Sequence, residues 1–229
     1  MMLLIPIRIT AQMINPYVDE RRIHFGFSLG INLMSYHITD TQDTINGEVY
    51  HARVSSLMPG FSVGFITDVR LSRHLNLRLC PALHFGQKSI KYKNESGNPI
   101  RGADDSFKNK AELISLPISI PLYLKWSAER HNNFRPYLIG GGGVSFDFGG
   151  QKERPVYQRK FDYFVEVGFG CDFYTQWFKF CPEIKYHIGF ANMLTPIEER
   201  NNVPVQNEFY TRAIKRLTNQ TITLTFNFE

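Results

Sequence analysis

The sequence predicts an all-β fold, an eight-stranded antiparallel up-and-down barrel, on three observations. Apolar and polar residues alternate with period two over eight stretches, hardly any window favours a 3.6-residue period, and the connections alternate between short and long. A chain of 229 residues fits one domain, and 43% hydrophobic residues with 19 Phe excludes a disordered one.

The first stretch sets Phe25, Phe27, Leu29, Ile31 and Leu33 against His24, Gly26, Ser28, Gly30 and Asn32. In the second, Phe61, Val63 and Phe65 oppose Gly60, Ser62 and Gly64, and the small-residue face continues to Asp68 and Arg70. Leu75, Leu77, Leu79, Leu83 and Phe85 of the third oppose Asn76, Arg78, Cys80, Ala82 and His84. The fourth runs from Ile114 to Trp126 with Ser115, Pro117, Ser119, Pro121, Tyr123 and Lys125 on its other face; bulges are expected to absorb the donors its prolines lack. The fifth passes through Gly140 to Gly143, with Leu138, Val144, Phe146 and Phe148 opposite Arg135, Tyr137, Ser145 and Asp147. The sixth sets Phe161, Tyr163, Val165, Val167 and Phe169 against Asp162, Glu166, Gly168 and Asp172. The seventh sets Phe178, Phe180, Ile184, Tyr186 and Ile188 against Lys179, Glu183, Lys185 and His187. Ile222, Leu224, Phe226 and Phe228 of the eighth oppose Thr221, Thr223, Thr225 and Asn227.

The connections at 71–75, 126–134 and 173–178 are tight, whereas 38–57, 91–112, 149–160 and 192–219 are long and polar. Short periplasmic turns and long extracellular loops, with an even strand number, are the layout of a transmembrane β-barrel. Nowhere do 18 consecutive apolar residues occur, so no transmembrane helix is expected. A soluble ligand-binding barrel has the same period but turns its apolar face inward. Eight rows of Phe, Leu, Ile, Tyr and Trp would overfill so narrow a lumen, while Gly, Ser and paired charges fit it. The apolar face is therefore expected to meet outer-membrane lipid.

That orientation sends Arg78, Lys125, Arg135, Lys179 and Lys185 inward to face Asp162, Glu166, Asp172 and Glu183. Buried charges persist when paired, so a salt-bridge network is predicted in a lumen that is a plug and not a pore. Trp126, Tyr163, Tyr186 and Phe228 are expected in aromatic girdles at the two interfaces. The Gly140 to Gly143 run lacks the following Lys-Ser or Lys-Thr of a phosphate loop and reads as a sharp bend or a close approach of another chain segment. Cys80, Cys171 and Cys181 are expected as free thiols, and inward His24, His84 and His187 lack metal-ligand spacing, so no metal and no cofactor is expected. Glu166, Asp172 and His187 are the cluster a rim enzyme would use; pairing with Lys179 or Lys185 accounts for them without catalysis, and no catalytic residue is predicted.

The 26 Lys and Arg against 21 Asp and Glu are scattered, which argues against nucleic acid as a partner. Residues 1–22 read as a residual signal segment and periplasmic N-terminal tail, and 23–229 as the outer-membrane barrel. Ala11-Gln12 resembles the end of a secretory signal whose start lies upstream. Phe209, Ala213 and Leu217 recur at four-residue spacing and predict a short helix within 206–217. That segment and the loop from Gly97 to Phe107 are the candidate contacts for protein partners.

The segments RRIHFGFSLGINLMSYHI at 21–38, ISLPISIPLYLKW at 114–126, RPYLIGGGGVSFDF at 135–148, and Tyr210 through AIKRL to TITLTFNFE carry a resemblance. Together they resemble the PorT family of Bacteroidetes outer-membrane barrels, associated with the type IX secretion system, over about 21–229. The resemblance implies a non-enzymatic accessory or assembly role in that secretion, partners among the machine's proteins, and no catalytic residues to carry over. The sequence departs from the expected ending, since Glu229 follows Phe228 and displaces the terminal aromatic by one position. A generic small barrel with a structural or adhesive role is the alternative.

Overall fold

The computed structural model describes residues 19, 21–40, 44–45, 48–54, 57–94, 110–149, 158–195 and 214–229. The strands are β1 (Ile23–Asp40), β2 (Thr44–Ile45), β3 (Glu48–Val54), β4 (Pro59–Arg70), β5 (Leu75–Leu79), β6 (Ala82–Asn94), β7 (Lys110–Ser115), β8 (Pro117–Ser127), β9 (Phe134–Asp147), β10 (Phe161–Tyr174), β11 (Lys179–Gly189) and β12 (Ile214–Phe228). They build eight staves, because β3 extends the second above β4, β5 and β6 share the third, and β7 and β8 share the fourth. All neighbours are antiparallel. The ring closes through β1, which pairs with β12 from Phe27↔Phe228 to Asp40↔Ile214 and with β4 from Ile23↔Val69 to Leu33↔Pro59. Closure satisfies the strand edges that hydrocarbon cannot solvate.

Prolines are absorbed differently from the expected bulges. The ladder from Pro117↔Asp147 to Pro121↔Gly143 runs without a slip, and the third stave simply lapses at Cys80–Pro81 before resuming in the same register, Leu79↔Leu122 and then Ala82↔Ser119. The carbonyls remain in use there: Phe65 N–H donates to Pro81 O at 3.0 Å and Cys80 N–H to Pro121 O at 3.3 Å. The glycine run serves close approach of strands. A Cβ on Gly141 would strike the main chain of Leu122 and Tyr123, and one on Gly143 that of Ile120 and Pro121, whereas a Cβ on outward Gly140 would meet nothing nearer than Glu166 O at 4.0 Å.

The apolar face points outward. Phe25, Ile120 and Val167 are 62%, 50% and 54% exposed, while Asp68 and Arg78 are fully buried. An apolar surface continuous around the ring belongs against lipid. Trp126 and Phe228 lie at the turn side with Phe134, Phe173 and Trp177, and Tyr163 lies at the loop side, stacked with Phe190 at 6.2 Å between centroids. Tyr186 differs from expectation: it opposes Val167 and Ile222 inside the apolar band and not at its edge.

On the loop side the strands run well past the band, through much of what reads in sequence as loop. There the pattern inverts. Along β1 the outward positions change from Ile31 to exposed His37 and Thr39, while the inward ones change from Asn32 to buried Met34 and Tyr36. Water now lies outside, so the apolar residues turn in: Tyr36, Ala52, Ile90, Leu113, Met193, Leu194, Ile214 and Leu217 form a core that caps the lumen. The predicted helix within 206–217 is corrected accordingly, since Ile214–Leu217 belongs to β12 and Leu217 pairs with Ile38. Residues 206–213, the Gly97 to Phe107 loop and the signal segment at 1–18 lie outside the described residues.

Substituting Leu122, mid-band on the lipid face, by Arg should cost about 2–4 kcal/mol in denaturant unfolding from lipid vesicles. Gly141→Ala should cost about 1–3 kcal/mol, and Gly140→Ala should stay within about 0.5 kcal/mol. Equal penalties at the two glycines would overturn the close-approach role of Gly141, and a larger penalty at Gly140 would mean that the facing is reversed.

Candidate functional site

The lumen is the candidate site, and period two along each stave decides which side chains enter it. At its turn-side end Arg78 reaches three carboxylates from three different staves. Its Nε donates to Asp68 Oδ2 at 2.8 Å, Nη1 to Glu183 Oε2 at 3.4 Å, and Nη2 to Glu229 Oε1. Lys179 Nζ lies 2.5 Å from Glu229 Oε2 and 4.0 Å from Asp172 Oδ2, and Lys125 Nζ donates to both Asp172 oxygens at 2.8 Å. Lys185 Nζ lies 3.2 Å from Glu183 Oε1. Four cations, Arg78, Lys125, Lys179 and Lys185, thus meet four carboxylates, Asp68, Asp172, Glu183 and Glu229. Tyr137 knits the cluster from within, donating to Glu183 Oε2 at 2.8 Å while Lys125 Nζ sits 3.9 Å from its ring centroid.

Above this cluster Glu166 accepts from the Tyr123 hydroxyl and bonds His187 Nδ1 at 2.8 Å. His84 Nε2 meets Ser119 Oγ at 2.8 Å. Next come Lys88, which donates to Asn219 Oδ1 at 2.8 Å, and Asp162, which accepts from Asn219 Nδ2 at 2.7 Å and from Ala191 N–H at 3.1 Å. The apolar core closes the top. A hollow of about 450 Å³ beside His24, Tyr174, Lys179 and Glu229 opens at the turn-side mouth. Between the ionic cluster and the apolar core, however, the described residues leave cavities of only about 40 Å³, lined by His84, Lys88, Glu166 and His187, and about 20 Å³ beside Ser28, Cys80 and Tyr123. These two cavities hold a few waters at most.

Seven of the nine charged residues that the sequence sends inward fall into the ionic cluster or the Glu166–His187 pair above it. Arg135 does not. It lies opposite Asp172 in the β9–β10 register, but at the mouth its guanidinium turns to main-chain carbonyls, Nε to Ala128 O and Nη2 to Arg73 O, both at 2.7 Å. Its height in the barrel, one step from the turn, lets it reach the rim and leave Asp172 to Lys125. Asp162 is likewise separate, because it stands near the loop-side end of β10 and takes neutral donors. Nor do Glu166, Asp172 and His187 assemble as one cluster: Glu166 holds His187, while Asp172 belongs to the charged cluster below.

Asp68, Glu229, Tyr123 and Tyr137 are missing from the sequence-derived network. Parity carries the signal for all four: Asp68 shares a face with Ser62 and Gly64, and Glu229 with Thr225 and Asn227. Cys80, Cys171 and Cys181 are free, with Cys80 and Cys181 packed in one buried cluster with Tyr123 and Tyr137. Among the described residues no three His, Cys, Asp or Glu side chains converge to hold a metal ion.

Residues 10–195 match the family model described as Outer membrane protein beta-barrel domain. The chain belongs to this outer-membrane β-barrel family. Membership places the barrel in the bacterial outer membrane. In fold this outer-membrane barrel is similar to OprG from Pseudomonas aeruginosa, with 12% identity, a TM-score of 0.52, and coverage of 90% of this chain and 95% of that one. It is also similar to Neisserial surface protein A, with 12% identity, a TM-score of 0.45, and coverage of 90% and 98%. No curated protein matches the sequence.

Replacing Arg78 by Met strands three carboxylates in the lumen and should cost about 3–5 kcal/mol. Arg135→Gln, which strands no carboxylate in the lumen and loses hydrogen bonds to two carbonyls at the mouth, should cost less, about 1–2 kcal/mol. Unfolding of both variants in the same vesicles checks the contrast, and a mild Arg78→Met would show that the cluster is not coupled.

Proposed function

We propose that this outer-membrane barrel is a non-enzymatic accessory or assembly component of type IX protein secretion that works through its two rims and not through its bore. The observation that carries the reading is the closed lumen. A neutral ionic cluster fills the turn-side end, an apolar core fills the other, and the described residues leave space only for isolated waters between them. A secreted polypeptide or a polar solute has no room to pass. What such a barrel offers is surface: a closed ring and strands that continue beyond the membrane.

The secretion role rests on the resemblance at 21–38, 114–126, 135–148 and the final strand, and it implies protein partners within the secretion machine. The same geometry supports a non-catalytic role. The Glu166–His187 pair, which has the makings of a general base, lies deep in the lumen beside Tyr123 and takes part in its hydrogen bonding.

Two measurements test the proposal. Purified barrel in planar bilayers should give no conductance above the lipid background. Deleting the gene should abolish secretion of type IX substrates while assembly of other outer-membrane barrels and envelope permeability stay normal. Steady channel currents would overturn the closed-lumen reading, and normal secretion with altered adhesion or envelope would favour the structural or adhesive alternative.

A further inference from the structure

The periplasmic mouth carries a second charged group, outside the lumen cluster, built around one carboxylate. Asp19 precedes β1, and its two oxygens accept from Tyr174 Oη–H at 2.7 and 2.9 Å. Arg130 Nη1 and Arg135 Nη1 each stand 3.8 Å from Asp19 Oδ2, within ion-pair reach. Arg70 Nη1 donates to the main-chain carbonyl of Asp19 at 2.6 Å. Three arginines, from the end of β4, the β8–β9 turn and the start of β9, thus converge on a single residue.

The arginines are held by contacts other than Asp19. Arg130 Nε donates to Asn132 O at 2.8 Å, and its guanidinium lies 3.6 Å from the Tyr174 ring centroid. Arg135 is braced by the carbonyls of Ala128 and Arg73, and Arg70 Nε donates to Ser72 O at 3.3 Å. The Arg130 and Arg135 side chains are only 8% and 12% exposed, while Asp19 is 24% exposed. A guanidinium fixed in this way has lost its freedom before the ligand arrives, so a carboxylate entering the cup meets preorganised donors. The surrounding rim is basic: Arg21, Arg22, Arg70, Arg73, Arg130 and Arg135 stand against the described carboxylates Asp19 and Glu129. Such a field draws in anionic groups.

We propose that the periplasmic mouth is a receptor for a peptide carboxylate, and that Asp19 occupies it in cis as a latch. The ligand class is an Asp or Glu on an extended segment: Tyr174, Arg130 and Arg135 read the carboxylate, and Arg70 reads the adjoining main-chain carbonyl. The chain's own tail and an acidic segment of a periplasmic partner share this chemistry and compete for the cup. The tail has the advantage of a tether, which raises its effective concentration. The receptor stands independently of the secretion role.

The test uses the full-length barrel in lipid nanodiscs and a fluorescent peptide of sequence NPYVDERRI, with a control peptide in which the Asp is Asn and the Glu is Gln. Asp19→Asn should bind the Asp peptide at least tenfold more tightly than the wild-type barrel does, because the tethered competitor is gone. The control peptide should bind Asp19→Asn at least tenfold more weakly, and adding Arg130→Gln with Arg135→Gln should remove the gain. Equal binding by wild type and Asp19→Asn would overturn the latch, and equal binding of the two peptides would overturn carboxylate recognition. A second readout needs no change at Asp19: in the Arg130→Gln, Arg135→Gln barrel, trypsin should cut at Arg21 and Arg22 severalfold faster than in wild type. An unchanged cleavage rate would count against the proposal.

Discussion

One guanidinium ties the barrel together at its turn side. Arg78 enters the lumen from the third stave and meets Asp68 from the second, Glu183 from the seventh and Glu229 after the eighth. Hydrocarbon outside and protein inside leave such a charge no water, so its partners must come from across the bore. Lys125, Lys179 and Lys185 extend the same condition until the charges balance. A narrow ring of eight staves can meet it because opposing walls are within one long side chain of each other.

The barrel is organised along its axis by what surrounds it. Where lipid is outside, large apolar residues face out and charges face in. Where water is outside, His37, Thr39, Arg53 and Lys91 face out, and Tyr36, Ile90, Leu113 and Leu217 face in. One continuous strand such as β1 crosses both regimes without changing its parity, only the chemistry at each parity. The lumen is therefore filled twice, by ions near the turns and by an apolar core near the loops, and both fillings favour action through surfaces.

At the periplasmic mouth the same residue types do different work. Arg78 is fully buried and bound by fixed partners. Arg130 and Arg135 are held by carbonyls at the edge of solvent, and the Asp19 they face belongs to the segment leading into the barrel. The difference between a structural ion cluster and an exchangeable one is access to water, which sets how costly it is for a partner to leave.

Which side chains share a face of each strand was determined by the sequence alone, because successive Cβ atoms along a strand point to opposite sides whatever the strand packs against. That local rule also identifies Lys125, Asp172, Lys179 and Glu183 as lumen residues, and it extends to Asp68 and Glu229. Which charge pairs with which was decided only by the tertiary structure, since that depends on the stagger between staves and on height in the bore. Arg135 has the parity of a lumen residue but the height of a rim residue, so it bonds carbonyls at the mouth. Leu217 fits a helical spacing in sequence, yet pairing with Ile38 and burial beside Tyr36 make it strand. No local pattern encodes where the membrane ends, and that boundary decides which way each apolar side chain must turn.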